Sequence, residues 1–126
     1  MNYAAFQTPS SPASAAHILD QDLSMASVAN ALLACHARGA DGQTMLTMCE
    51  RLLSVAEREL LERERRMMAD GDPELANHVR RHGDMLLILG RQVRDSRRSA
   101  APISSTFIRY VGSMLERMRA ASAEAA

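Results

Sequence analysis

The chain has 126 residues, with 15 arginines, no lysine, 15 acidic residues and a formal net charge of zero. This length suits one domain, and the 3% aromatic content with abundant Ala, Leu, Met, Arg and Glu favours helix over sheet. The sequence holds no apolar run of about 18 residues, which argues against a membrane-spanning helix, and the zero net charge argues against nucleic-acid binding through overall charge.

The chain begins with a segment that we predict to be a flexible tail over residues 1–19, followed by a helical domain over 20–126. Residues 1–16 mix Ser, Pro, Ala and Thr without charge or periodicity, and bury too little apolar area to offset ordering. An export signal is the alternative interpretation. Two cysteines are too few for a disulfide framework and no secretory signal is evident, which indicates a cytoplasmic protein.

Two helices joined by a tight turn are predicted next. Helix 1 begins near Asp20 or Asp22 and ends before Gly39. Helix 2 covers about 43–69. Apolar residues at helical spacing predict their buried sides: Met25, Val28, Ala29, Leu32, Leu33 and His36, then Met45, Met48, Cys49, Leu52, Leu53, Ala56 and Leu60. Beyond Leu60 the pattern becomes charged, which indicates that helix 2 extends past its own core.

Helix 3 follows a turn over 70–73, because Gly71 suits a helix end and Pro73 suits the first position of a helix. Its apolar positions have the 4-3-4-3-4 spacing of a coiled coil: Leu75, Val79, His82, Leu86, Leu89 and Val93. The continuous apolar run 85–89 predicts a stretch that is covered on more than one side.

Helix 4 is predicted after a polar connector over 94–102, with Pro102 and either Ser104 or Ser105 at its start. Its apolar face comprises Ile103, Phe107, Val111, Met114, Leu115 and Met118, and residues 120–126 are expected to fray. The predicted fold is therefore all-α: a small antiparallel bundle of three to four helices with a long helix 2–helix 3 hairpin.

Candidate chemistry is sparse. Glu74, His78 and His82 lie four residues apart along helix 3 and are the metal-ligand candidates. The apolar stripes of the facing helices offer no matching Glu-x-x-His motif or Asp/Glu cluster, so a hydrogen-bonded interior histidine is the favoured interpretation and no cofactor is predicted. No motif places a base beside Cys35 or Cys49, so neither an enzyme activity nor a small-molecule substrate is predicted.

Charge is unevenly distributed between the two halves of the chain. Residues 1–72 contain 6 arginines and 10 acidic residues, whereas residues 73–126 contain 9 arginines and 5 acidic residues. A basic cluster in the second half comprises Arg91, Arg94, Arg97 and Arg98. It would suit phosphate groups, but mutual neutralisation of the two halves, within the bundle or across a dimer, is the favoured interpretation.

The tip of the hairpin is the predicted partner-binding surface. Its residues are Leu61, Met67, Met68, Leu75, Val79, Arg80 and Arg81. Across a two-fold axis the two arginines would meet acidic residues of a second copy, namely Glu57, Glu59, Glu62 and Glu64. We therefore predict a homodimer, with another protein as the alternative partner.

These features predict a non-enzymatic protein–protein interaction module. Its size and helix order are similar to those of flagellar and type III secretion chaperones and regulators, although no diagnostic motif places the chain in that family. The resemblance implies a small bacterial adaptor, chaperone or regulator, with a link to secretion as one option. The alternative is a nucleic-acid-associated regulator that acts through Arg91–Arg98.

Overall fold

The computed structural model describes residues 24–99 and 102–125 of the chain. Four helices account for nearly all of them: α1 (Met25–Ala37), α2 (Gly42–Ala69), α3 (Leu75–Ser99) and α4 (Ser105–Ala125). These residues include no strand, so the predicted all-α class is confirmed. The predicted tail over 1–19 lies outside the described residues.

The first helix of the described residues begins later than the sequence predicts, and Asp20 and Asp22 themselves lie outside those residues. Ser24 Oγ accepts a hydrogen bond from the Ser27 amide, and Ser27 Oγ accepts one from the Ser24 amide, each at 3.0 Å. This reciprocal capping box satisfies amides that the first turn leaves unpaired. The helix therefore begins at Met25 rather than near Asp20 or Asp22.

Side-chain caps also start α2 and α4. Asp41 Oδ1 accepts from the Thr44 amide at 2.8 Å, and this bond, with a contact to the Thr44 side chain, lowers the pKa of the Asp41 carboxyl. Ser104 Oγ accepts from the Phe107 amide at 3.1 Å. Both caps follow the general preference of helix N-termini for short polar side chains.

Two glycines end helices as predicted. Gly39 has a φ of 75° and Gly71 a φ of 63°, in the left-handed region that glycine occupies without a steric penalty. After α2, the Asp72 amide donates to the Met67 carbonyl at 2.9 Å, which closes the turn and reverses the chain.

The C-terminal ends of α3 and α4 correct two predictions. Residues 94–99, predicted to be a connector, continue α3 as far as Ser99. Arginine is a good helix former, and Arg97 and Arg98 favourably oppose the partial negative charge of the helix C-terminus. Residues 120–125, predicted to fray, continue α4.

The core forms where α1 packs against both α2 and α4, while α3 packs against α2. Its buried apolar residues are Met25, Val28, Ala29, Leu32, Met45, Cys49, Leu52, Val55, Ala56, Leu60, Leu89, Val93, Phe107, Val111, Met114 and Leu115. Two polar contacts join the helices at its edge. The Met25 amide donates to Glu59 Oε2 at 2.7 Å, and Arg119 Nη2 donates to Asn30 Oδ1 at 3.3 Å.

The α2–α3 hairpin projects beyond this core. Leu60 is the last buried residue of α2 and His82 the first of α3, so residues 61–81 contain no buried side chain. The prediction that helix 2 extends past its core is confirmed. The described helices include none that is long and apolar enough to cross a membrane.

Four positions that the sequence predicts to be buried or covered are exposed, namely His36, Val79, Leu87 and Ile88. Val79 is 48% exposed because it lies on the projecting part of the hairpin, beyond the last core contacts. Leu87 is 52% exposed, since α3 packs mainly against α2 and its far side stays uncovered. His36, predicted to face the core from α1, is also exposed.

Candidate functional site

An ion pair joins the two helices of the antiparallel hairpin near its core end. Arg97 Nε and Nη2 both donate to Glu50 Oε2, at 2.9 and 2.6 Å. Near the tip, Glu64 contacts both His78 and His82, so residue 64 lies opposite about residue 80. Both helices rise about 1.5 Å per residue, so equal steps from there place Leu61 within about one turn of Leu86, and Met68 within about one turn of Val79.

The outer side of the hairpin thus carries an apolar strip, which we call the hairpin face: Leu61, Met68, Val79 and Leu86. Leu61 is 47% exposed, Met68 69% and Val79 48%, whereas Leu86 is half-buried. A Cβ atom added to Gly83 or Gly90 would meet no atom within 4 Å apart from its chain neighbours and its own helical backbone, so the space above these glycines is open. Exposed apolar groups that adjoin one another in this way are typical of interaction surfaces.

The predicted partner-binding residues do not all share this face. Leu61, Met68 and Val79 do, whereas Met67 and Leu75 are half-buried. Arg80 and Arg81 are both exposed, but successive residues point about 100° apart on a helix and cannot act as one pair of charges. Arg80 Nη2 donates to Asn77 Oδ1 at 2.8 Å within its own helix.

Of the four acidic residues expected to meet these arginines, two are bonded within the chain and two are exposed. Glu59 accepts from the Met25 amide, and Glu64 accepts from two histidines of α3. Both carboxylates are therefore engaged within the chain, contrary to the prediction. Glu57 and Glu62 are exposed.

The second feature of the hairpin is the Glu64–His78–His82 cluster, at the point where the hairpin leaves the core. His78 Nδ1 lies 3.1 Å from Glu64 Oε2, and His82 Nδ1 contacts the same oxygen. The two rings meet edge to face, with centroids 6.1 Å apart. Side-chain exposures of 14% for His78, 9% for His82 and 13% for Glu64 show that the cluster is sheltered.

The electrostatics of the cluster favour an ionised carboxylate. Partial burial raises the pKa of Glu64, but hydrogen bonds from His82 and His78 outweigh this effect and hold it below its ordinary value. His82 Nε2 is buried and has no hydrogen-bond partner among the described residues. The His82 ring therefore makes its polar contact through Nδ1.

The carboxylate of this cluster differs from the one that the sequence indicates. Glu74 is exposed and accepts from Asn77 Nδ2 at 3.3 Å, away from both imidazoles. Glu64, on the facing helix, supplies the carboxylate instead, and it lies outside the apolar stripe that the sequence predicts for that helix. Counting residues outward from the Gly71 turn places residue 64 near residues 78 and 82. This count could have identified Glu64 from the sequence.

The two cysteines are free thiols in different surroundings. Burial, followed by the charge of Glu50, raises the pKa of the Cys49 thiol to about 12. Cys35 is half-buried, and Arg38 Nη2 lies 3.5 Å from its sulfur. Cys49 is thereby kept in its protonated, unreactive form.

The basic cluster lies along the exposed C-terminal part of α3. Arg91, Arg94 and Arg98 project from one side of the helix, since they are spaced three and four residues apart. Arg97 is also exposed, but its charge is paired with Glu50. A cavity of about 530 Å³ opens nearby, between the α1–α2 turn and the end of α3, with His36 and Arg97 on its wall.

Together these features define a small all-α protein in which a helical hairpin projects from the core and carries an exposed apolar face and a carboxylate–histidine cluster. No family model, curated protein or solved structure matches the chain. The hairpin residues are therefore the basis for assigning a function.

Proposed function

We propose that the protein is a non-enzymatic interaction module that forms a homodimer through the hairpin face. The observation that carries the proposal is the exposure of Leu61, Met68 and Val79 on adjoining positions of two helices. Removing apolar surface from water contributes roughly 25 cal/mol per Å², so covering these side chains favours association. A monomer leaves all three in water.

A second copy of the chain is the occupant that the charges favour. The net charge is zero, so two copies do not repel one another at long range. A two-fold axis makes every contact of the hairpin face twice, so a second copy doubles the apolar area that these few side chains bury. The affinity comes from these apolar residues. The open space above Gly83 and Gly90 lets the second hairpin approach closely.

Sedimentation equilibrium tests this proposal. We expect the wild-type chain to be dimeric at micromolar concentration, and Met68→Arg to shift it to monomer, because a charge would be buried in the interface. Ala69→Arg is the matched control, since the neighbouring exposed side chain points about 100° away from the face. A wild-type chain that stays monomeric at about 100 μM, well above a micromolar dissociation constant, would contradict the proposal.

The cellular role that we propose is that of a cytoplasmic adaptor, chaperone or regulator, of the kind found in bacterial secretion systems. Two free thiols suit a reducing compartment. The dimer covers the hairpin face but leaves Leu87 and Ile88 of α3 as exposed apolar side chains that can contact another protein.

Nucleic-acid binding is the second candidate, and the continuation of α3 favours it specifically. Arg91, Arg94 and Arg98 project from one exposed side of a continuous helix, so together they can reach successive phosphates. A salt titration of DNA binding distinguishes the candidates. Binding at low salt that falls steeply as salt is added supports the nucleic-acid role, and no binding at low salt excludes it.

A further inference from the structure

We infer that the Glu64–His78–His82 cluster is a binding site for a divalent transition-metal ion, with Zn²⁺ as the ion that best suits its ligands. Its three ligand atoms all lie within 4.8 Å of one another. Ligand atoms bonded to a tetrahedral zinc ion at about 2.0–2.1 Å are about 3.3 Å apart. The 3.1 Å between Glu64 Oε2 and His78 Nδ1 is close to that spacing.

The chemistry of the donors selects the class of ion. Two imidazole nitrogens and one carboxylate oxygen suit Zn²⁺ and its first-row neighbours, whereas Mg²⁺ and Ca²⁺ need sites built from oxygen atoms. Three protein ligands leave the fourth tetrahedral position for water. This inference is independent of the proposed dimer, because all three ligands come from one chain.

The ligands are held by helices rather than by loops. His78 and His82 are one turn apart on α3, and the hairpin register brings Glu64 of α2 against them. Because the rings and the carboxylate already converge, little ordering remains to be done when an ion binds. The ion would join the two helices just beyond Leu60, the last buried residue of α2, and so stiffen the projecting hairpin.

The hydrogen bonds already present within the cluster limit the affinity for the metal ion that we expect. An ion must displace the contacts between Glu64 and both histidines, and the proton on each ligating ring then lies on Nε2. His82 Nε2 has no acceptor among the described residues, whereas metal-binding histidines nearly always have one. Loss of such a partner typically weakens metal binding about 10- to 100-fold, so we expect micromolar rather than nanomolar affinity.

Titration of the metal-free 126-residue chain with Co²⁺, followed by its visible absorption, tests the site. We expect one ion per chain, displaced by Zn²⁺. Glu64→Gln, which keeps the side-chain shape, and His78→Ala, at a half-buried position, should each weaken binding at least about tenfold. Circular dichroism of each variant verifies that the helices are retained.

Two control variants keep the cluster intact. The double variant His17→Ala, His36→Ala removes the other two histidines of the chain, and Glu74→Gln removes the carboxylate indicated by sequence spacing. Both should bind Co²⁺ as the wild type does, and Zn²⁺ should raise the melting temperature of both. The inference is overturned if the wild type binds no tighter than Glu64→Gln, or if either control loses the ion.

Discussion

The two cysteines offer a test of burial at single residues. Burial raises the pKa of Cys49 to about 12, so at pH 8 only about one molecule in ten thousand carries the reactive thiolate. We expect a thiol reagent to modify Cys35 in the folded protein and Cys49 only after denaturant is added. Peptide mass spectrometry after timed labelling measures both sites, and equal labelling rates in the folded state would contradict the buried position of Cys49.

The Asp41 cap predicts a pH dependence. Its pKa is lowered in the folded state, so its contribution to stability is present above the ordinary value of 3.8 and is lost as the pH falls through the lowered value. Asn caps helices as well as Asp but does not titrate. Urea midpoints measured from neutral pH to about pH 3 should therefore fall less steeply for Asp41→Asn than for the wild type. Parallel pH profiles would show that the cap does not form.

At the scale of elements, α3 has one covered and one uncovered side. Leu89 is 1% exposed and Leu87 is 52% exposed, so the two leucines form a matched pair on one helix. Leu89→Ala should lower the free energy of unfolding by about 2–5 kcal/mol because it leaves a cavity. Leu87→Ala should change it by less than about 0.5 kcal/mol. Chemical denaturation gives both values, and equal losses would mean that the far side of α3 is covered too.

Local signals in the sequence predict where the hairpin turns and which side of α3 faces the core. They do not predict where α3 ends. Gly71 ends α2 at the predicted residue, and Leu89 and Val93 occupy the predicted seam, because a left-handed glycine and a helical spacing are local properties. The end of α3 was missed, because the polar character of residues 94–99 indicates exposure but says nothing against helix. Val79 continues the seam by spacing, yet its burial depends on how far the neighbouring helices extend.

The cluster shows the same limit for the candidate site. The spacing of His78 and His82 is visible along one helix, whereas Glu64 joins them only through the register of two helices. Glu74 has the expected spacing but lies at the start of α3, where its side chain is exposed and bonds to Asn77. Spacing along a helix alone does not determine which carboxylate faces the histidines.

At the scale of the whole molecule, the core stabilises the fold, whereas the projecting hairpin carries the proposed binding surfaces. The core holds all four helices together, with Leu89 and Val93 contributed by α3, and the hairpin carries the apolar face and the Glu64–His78–His82 cluster beyond it. Substitutions of Met68 or Val79 should therefore weaken dimerisation. The unfolding free energy of the monomer should stay within about 0.5 kcal/mol of the wild-type value, because both side chains are exposed. Denaturation at a concentration where the chain is monomeric measures this, and a larger loss would mean that the face is part of the core.

Pulsed electron paramagnetic resonance of a single spin label tests the central claim, association through the hairpin face, most directly. Ser54 is exposed and lies seven residues before Leu61, on the same side of α2. The labelled variant carries Ser54→Cys to hold the nitroxide and Cys35→Ser, so that the other remaining cysteine is the unreactive Cys49. Each chain therefore holds a single label. We expect a defined distance between labels at about 100 μM, lost when Met68→Arg is added. The dimer is contradicted if the labelled chain that keeps Met68 gives a featureless background decay and no defined distance.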